Sequence, residues 1–289
     1  MSAYATARRC AQFAVAAGFC LLPWAALKGF AGVCGSLFAL DIFGLPFADP
    51  VAAAQATAAQ AVTGGQAPAG ALLLGAALSL ALALLLGRVF CSWVCPYGLL
   101  SELAHACAPR SRTTEAPEGR RAHTRSFLLK AALLVLALGV FACWAFPLPA
   151  LLSLPGELSL VPLLITQGGD APLLLGALAL PVAMLVLEWL TGTRLWCRHV
   201  CPQSVLLGGA AACAPKALPA LRIGWDAQHC TCKGAPPCAA ACPLGLQPRQ
   251  PAGPPRRDCT LCGECLNACA THGKALGWRG TAPTPPPSR

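Results

Sequence analysis

The stretch Arg88-Val89-Phe90-Cys91-Ser92-Trp93-Val94-Cys95-Pro96 decides the reading of this chain, because it returns as Arg194-Leu195-Trp196-Cys197-Arg198-His199-Val200-Cys201-Pro202. The copies align without a gap at an offset of 106 residues (Cys91 to Cys197). The match continues from Ala106-Cys107-Ala108-Pro109-Arg110 to Ala212-Cys213-Ala214-Pro215-Lys216. Each unit is two long apolar runs, a Cys-x3-Cys-Pro element, a short helical stretch and a third cysteine. Two units of equal orientation form a parallel repeat about an axis along the membrane normal. Such an axis brings the two Cys-x3-Cys-Pro elements near each other at one surface.

Outward from these elements lie the apolar runs, at 11–27, 69–90, 127–148 and 171–190. A helix of about 20 residues crosses the hydrocarbon core of a bilayer. Of 289 residues, 56% are hydrophobic and 11% are charged, less than half the roughly 25% charge of a soluble domain. That composition excludes an ordinary soluble enzyme and, for most of the chain, disorder. The net charge of +10 does not point to nucleic acid, whose partners are not built from long Leu/Ala runs. It points instead to basic segments on one side of a membrane.

Those segments set the orientation. Arg88, Arg110, Arg112, Arg120, Arg121 and Arg125 lie between runs two and three; Arg194, Arg198, Lys216, Arg222 and Lys233 follow run four. Neither Gly29 to Pro68 nor Pro149 to Asp170 contains a Lys or Arg. Both termini and the middle loop of this multi-pass chain therefore face the cytoplasm. The first run follows Arg8-Arg9 and has no small-residue cleavage site after it, so it reads as a retained anchor.

Cysteine usage carries the chemistry. Of the 18 cysteines, all but Cys20, Cys34 and Cys143 fall on the cytoplasmic side, where thiols stay reduced and serve as ligands or catalysts. Cys20 and Cys143 read as small apolar residues in the membrane, and Cys34 has no outer partner. Cysteines four apart lie on one helical face, so Cys91, Cys95, Cys197 and Cys201, with Cys107 and Cys213 behind them, are redox or metal candidates. Near the end, Cys259-x2-Cys262-x2-Cys265-x3-Cys269 is the run that wraps a [4Fe–4S] cluster, its fourth thiolate reaching a second cube. Upstream, Cys230-Thr231-Cys232, Cys238 and Cys242-Pro243 form an irregular counterpart. Crossed pairing gives one cube to Cys259, Cys262, Cys265 and Cys242, and the other to Cys230, Cys232, Cys238 and Cys269.

The expected fold is mainly α: a four-helix polytopic membrane protein built from a two-helix parallel repeat, with a cytoplasmic bacterial-ferredoxin-like (α+β) domain. Its parts are a first repeat over 1–110, a linker over 111–126, a second repeat over 127–216, an iron–sulfur domain over 217–280 and a disordered tail over 281–289.

Together these features resemble the NapH-type ferredoxin-type quinol dehydrogenase membrane components, to which the MauN proteins are similar. The resemblance covers nearly the whole chain, including Leu45-Pro46-Phe47-Ala48-Asp49-Pro50 and Gln55 in the first outer loop. It implies oxidation of quinol from the membrane quinone pool, with two [4Fe–4S] clusters on the eight carboxy-terminal cysteines. Electrons would pass to a periplasmic ferredoxin-type protein and a reductase. Cys91, Cys95, Cys197 and Cys201 would carry the family's thiol motifs, where a further centre is open. For quinol protons, Glu188, an intramembrane carboxylate or else a partner of Arg194, and His105 beside Trp93 and Glu102 are candidates. Asp41 and Asp49 are outer-side alternatives. Competing readings are a cupric reductase like the oxidase-assembly ferredoxins, and a metal-binding scaffold without turnover.

Overall fold

The computed structural model describes residues 3–30, 32–64, 70–108, 120–215, 220–232, 234, 236–271 and 274–279. Residues 111–119 of the expected linker, the tail 281–289, Ala69, Arg110, Lys216 and Lys233 lie outside the described residues. The described chain is mainly helical, with a first apolar helix α1 (Ala3–Leu27) leading into a meander of β1 (Val33–Ser36), β2 (Ala39–Ile42) and β3 (Leu45–Ala48). Phe43 and Gly44, both at positive φ, make the two-residue turn between β2 and β3, the twist that tight hairpins require. Asp49 then caps α2 (Pro50–Thr63): its side chain accepts from the Val51 N–H, Pro50 sits at the first helical position, and Gly64 closes the helix in the left-handed conformation. These are the standard start and stop signals of a helix.

Next come α3 (Gly70–Leu86), α4 (Phe90–Trp93), α5 (Pro96–Ala106) and α6 (Arg120–Trp144). They are followed by α7 (Leu148–Leu151), α8 (Leu154–Thr166) and α9 (Ala171–Thr191). A π-helical turn (Trp196–Val200) leads to α10 (Gln203–Cys213). The remainder is β4 (Arg222–Trp225), α11 (Pro237–Ala240), α12 (Glu264–Ala270) and β5 (Leu276–Arg279). Strands β4 and β5 pair antiparallel, Ile223 opposite Trp278, and close the cysteine-rich segment into one unit.

Among the described residues, three helices are long and apolar enough to cross a bilayer: Tyr4–Leu27, Arg121–Trp144 and Ala171–Thr191. The run expected at 69–90 forms the 17-residue α3, which stops at Gly87 because that residue turns left-handed (φ 67°). The helix expected at 127–148 instead occupies Arg120–Trp144, so residues 120–126 of the expected linker are helical. The connections between apolar helices are also structured: the meander with α2 between α1 and α3, and α7 with α8 between α6 and α9.

Packing is reciprocal. Helix α5 lies on α9 while α10 lies on α3; α8 lies on α1 while α2 lies on α6. Leu154, at the head of α8, is fully buried among Tyr97, Trp196, Cys95 and Cys201. Asp49 and Ser153, the residues preceding α2 and α8, meet through a 2.7 Å hydrogen bond from the Ser153 hydroxyl. The seam between β3 and α3 depends on Gly75, where an added Cβ would stand 2.9 Å from the Ala48 nitrogen and 3.0 Å from the Phe47 carbonyl carbon. Both are backbone atoms, so the sheet must move. Gly75→Leu is expected to lose about 1–3 kcal/mol by overpacking, read as a lowered melting temperature in detergent.

Candidate functional site

The first thiol motif does not form one continuous helix. Cys91 lies inside α4, the chain breaks at Val94, and Cys95 caps α5, its Sγ accepting from the Gly98 N–H at 3.3 Å. In the second, Cys197 lies in the π turn and Cys201 ends it. The expectation of two thiols on one helical face is therefore corrected: directly after the second cysteine Pro96 starts α5 and Pro202 caps α10, and the pair straddles the break. The fold nonetheless gathers Cys91, Cys95, Cys197 and Cys201 within electrostatic reach of one another. Burial raises the Cys95 and Cys197 thiols and pushes Cys201 up to about 11.

Cys107 and Cys213 do not join them. They sit exposed at the far ends of α5 and α10, about 16 Å along an eleven-residue helix. Cys20, Cys34 and Cys143 are exposed as well, so the first and last face outward from their helices rather than into a core.

The carboxy-terminal cysteines fall into two neighbourhoods. Cys242, Cys259, Cys262 and Cys265 line one hollow, and Cys238 and Cys232 lie within electrostatic reach of Cys269, with Cys230 beside Cys232. The Cys259–Cys265 loop turns through Leu261 (φ 56°) and Gly263 (φ 80°), which curls the backbone so that its N–H groups face sulfur. The Leu261 N–H donates to Cys259 Sγ at 3.4 Å and the Leu246 N–H to Cys242 Sγ at 3.3 Å. Such bonds tune an iron–sulfur potential. Burial pushes Cys242 up to about 11 and Cys259 to about 12, and raises Cys265. These thiols become thiolates when a cation replaces their protons. Among the described residues no three His, Cys, Asp or Glu gather at single-ion spacing. A four-iron cube needs its thiolates further apart than one ion does, and soft sulfur suits it. The donor set fits.

The two cysteine regions touch. Arg88 is buried, its guanidinium 3.9 Å from Cys91 Sγ and 3.3 Å and 3.4 Å from the carbonyls of Asp258 and Arg257. The Ser92 hydroxyl donates to the Thr260 carbonyl at 2.6 Å, and Cys197 packs against the core that holds Cys259 and Cys265. On the other flank, the Tyr4 hydroxyl donates to the Leu261 carbonyl at 2.6 Å. Its ring fills the space where a side chain on Gly263 would sit, 2.5 Å from the built Cβ.

Glu102 gathers three arginines: Arg8 at 2.6 Å, Arg9 at 2.6 Å and Arg194 at 3.0 Å, while Arg8 also holds Glu264 at 2.5 Å. The pairing of Glu188 with Arg194 is thereby corrected, since Glu102 outcompetes it. Glu188 accepts instead from the Ser101 hydroxyl at 2.6 Å and the Trp196 N–H at 2.8 Å. Buried and doubly bonded, it reads as a brace between α5 and the second thiol motif. His105 lies in the last turn of α5 with its Nδ1 unpartnered. Two contacts escaped sequence reasoning: that of Arg88 with the Arg257 and Asp258 carbonyls, and the Asp49–Ser153 bond, which no local pattern announces.

These features define a ferredoxin-type iron–sulfur protein carried on membrane helices. A family model described as a 4Fe-4S binding domain matches twice, over residues 68–113 and 172–218. The chain is 29% identical to the ferredoxin-type protein NapH of Escherichia coli over 271 residues, 91% of this chain and 85% of that protein. It is 28% identical to the methylamine utilization ferredoxin-type protein MauN of Paracoccus denitrificans, over 70% of this chain and 64% of that one. Against the regulatory protein NosR of Pseudomonas aeruginosa it is 31% identical over 66% of this chain but only 25% of the relative. No solved structure matches. The chain is a NapH-like ferredoxin-type electron-transfer protein of the membrane.

Replacing Glu102 by Ala leaves the buried Arg8 and Arg194 without their shared carboxylate. A loss of about 3–5 kcal/mol is expected for an uncompensated buried charge, measured as thermal unfolding in detergent.

Proposed function

We propose that this chain oxidises quinol from the membrane quinone pool and passes the electrons through two [4Fe–4S] clusters. The acceptor is a partner iron–sulfur protein serving a periplasmic reductase. The observation that carries the reading is the contact between the carboxy-terminal cysteine hollow and the gathered thiol motifs at the ends of apolar helices, with Arg88 reaching both.

In this reading Cys259, Cys262, Cys265 and Cys242 hold one cube, and Cys230, Cys232, Cys238 and Cys269 the other. When bound, such clusters take up and release single electrons. The chain's own residues do the rest. Loop N–H groups stabilise thiolate charge, Tyr4 and Ser92 hold the ligand loop against the membrane helices, and burial keeps water from the sulfur. The four motif cysteines are the place for a further centre, which the 4Fe-4S description of the twice-matching model supports.

Helices α1, α3, α6 and α9 serve as four spans of a parallel two-helix repeat in the inner membrane, both termini cytoplasmic. The reciprocal packing supports the repeat, and the basic residues support the orientation. Helix α3, with 17 residues, reaches about 25 Å, and residues 87–90 complete the crossing.

Anaerobically purified protein in nanodiscs is expected to contain iron and acid-labile sulfide for two cubes, and to show their EPR signals after dithionite. Quinol is expected to reduce them, and Cys262→Ser and Cys238→Ser each to abolish a different one. Zinc in place of iron overturns the reading, as does oxidation by cupric ion without reduction by quinol.

A further inference from the structure

A cavity of about 290 Å³ lies between the meander, α3 and the first thiol motif. That is near the lower end of small-molecule sites, roughly 300 Å³, enough for a single substituted ring. Its walls include Phe47 from β3, Ala83 from α3, and Val89, Phe90 and Val94, which flank Cys91 and Cys95. Asp49, Ser79 and Gln203 are its only polar lining side chains among the described residues, and no Lys or Arg lines it. Ser79 is committed to the Ala48 carbonyl at 2.9 Å.

We propose that this cavity seats the quinol ring and that Asp49 is the group that accepts its hydroxyl protons. The inference rests on the quinol-oxidising reading and gives it a site. An anionic lipid headgroup or a nucleotide needs cationic partners, which the walls lack; a neutral ring carrying two hydroxyls needs an apolar slot and a proton acceptor. Asp49 is 2% exposed and held in place, Oδ1 accepting from the Val51 N–H at 2.8 Å and Oδ2 from the Ser153 hydroxyl at 2.7 Å. A carboxylate has about four acceptor positions, so lone pairs remain for the substrate. Burial pushes its pKa up to about 6. It is therefore ionised at neutral pH yet basic enough to take a proton, the range that favours general-base catalysis.

The electrons have a short way to go. Val89 lines the cavity and also packs against the core that contains Cys259 and Cys265. The step balances as follows. Two O–H bonds of the quinol break and its two C–O bonds become carbonyls. Each proton in turn forms an O–H bond on Asp49 and is then lost to water. The two electrons leave the ring one at a time, and clusters held by the carboxy-terminal cysteines would be the one-electron acceptors.

Asn caps a helix as well as Asp does, so Asp49→Asn keeps the Val51 contact, makes the rotatable Ser153 hydroxyl an acceptor in place of a donor, and removes the base. In nanodiscs loaded with a short-chain quinol, Asp49→Asn is expected to slow quinol-driven cluster reduction about 100-fold or more, the usual contribution of a positioned base. Ala83→Phe, which fills the cavity, is expected to abolish it. Dithionite-reduced EPR spectra and melting temperatures should match wild type in both, which excludes misfolding. Wild-type rates in both variants, with wild-type protein reduced by quinol, overturn the assignment and leave the function standing. A wild-type protein that quinol does not reduce overturns the function and the site together.

Discussion

One carboxylate ties the first apolar helix to both thiol motifs. Glu102 stands on α5 with Arg8 and Arg9 of α1 on one side and Arg194 of the second unit on the other, all but Arg9 nearly excluded from solvent. Taking such charges out of water costs several kcal/mol per ion, so the gain lies less in net stability than in specificity. The placement of α1 against α5 and the second motif brings all three guanidinium groups to the one carboxylate. Arg8 carries the constraint further, to Glu264 at the start of α12, so the ligand loop is registered against the membrane helices by the same network.

Around this anchor the two halves exchange partners: the helix after each thiol motif leans on the second apolar helix of the other half. The exchange explains why four cysteines far apart in sequence come together. It also explains why an iron–sulfur segment can be seated over them, with Gly208 letting the Arg257 carbonyl approach to 2.5 Å of where a Cβ would be. The result is one stack of contacts: Val89 lines the cavity and packs against the core around Cys259 and Cys265, and Arg88 reaches Cys91.

Much of this was legible from residues. The repeated Cys-x3-Cys-Pro and the Cys-x2-Cys-x2-Cys-x3-Cys run announced the ferredoxin-type relationship, because thiolate spacing is a local property of the chain. The apolar runs announced membrane helices, although α3 stops earlier than hydropathy suggests, since Gly87 can adopt a left-handed turn that composition averages away. The meander and α8 were hidden for a different reason. In a chain this apolar, Leu45 to Ala48 and Leu154 to Thr166 carry no alternation of polar and apolar residues to report strand or helix. Nearness in sequence offered Glu188 as one possible partner of Arg194, whereas Glu102 is the carboxylate near it in space. The Asp49–Ser153 bond spans 104 residues, and only the reciprocal packing creates it.

Tyr4 and Arg8 meet Leu261 and Glu264 across separations of 257 and 256 residues. Closing so long a loop carries an entropic cost that grows only slowly with length, yet it cannot occur before the Cys259–Cys265 loop has been made. The leading helix must therefore wait, with its guanidinium groups unsealed, until the trailing loop arrives. Biogenesis thus has a built-in order: α1 is made first, and its seal against the Cys259–Cys265 loop forms only once that loop exists.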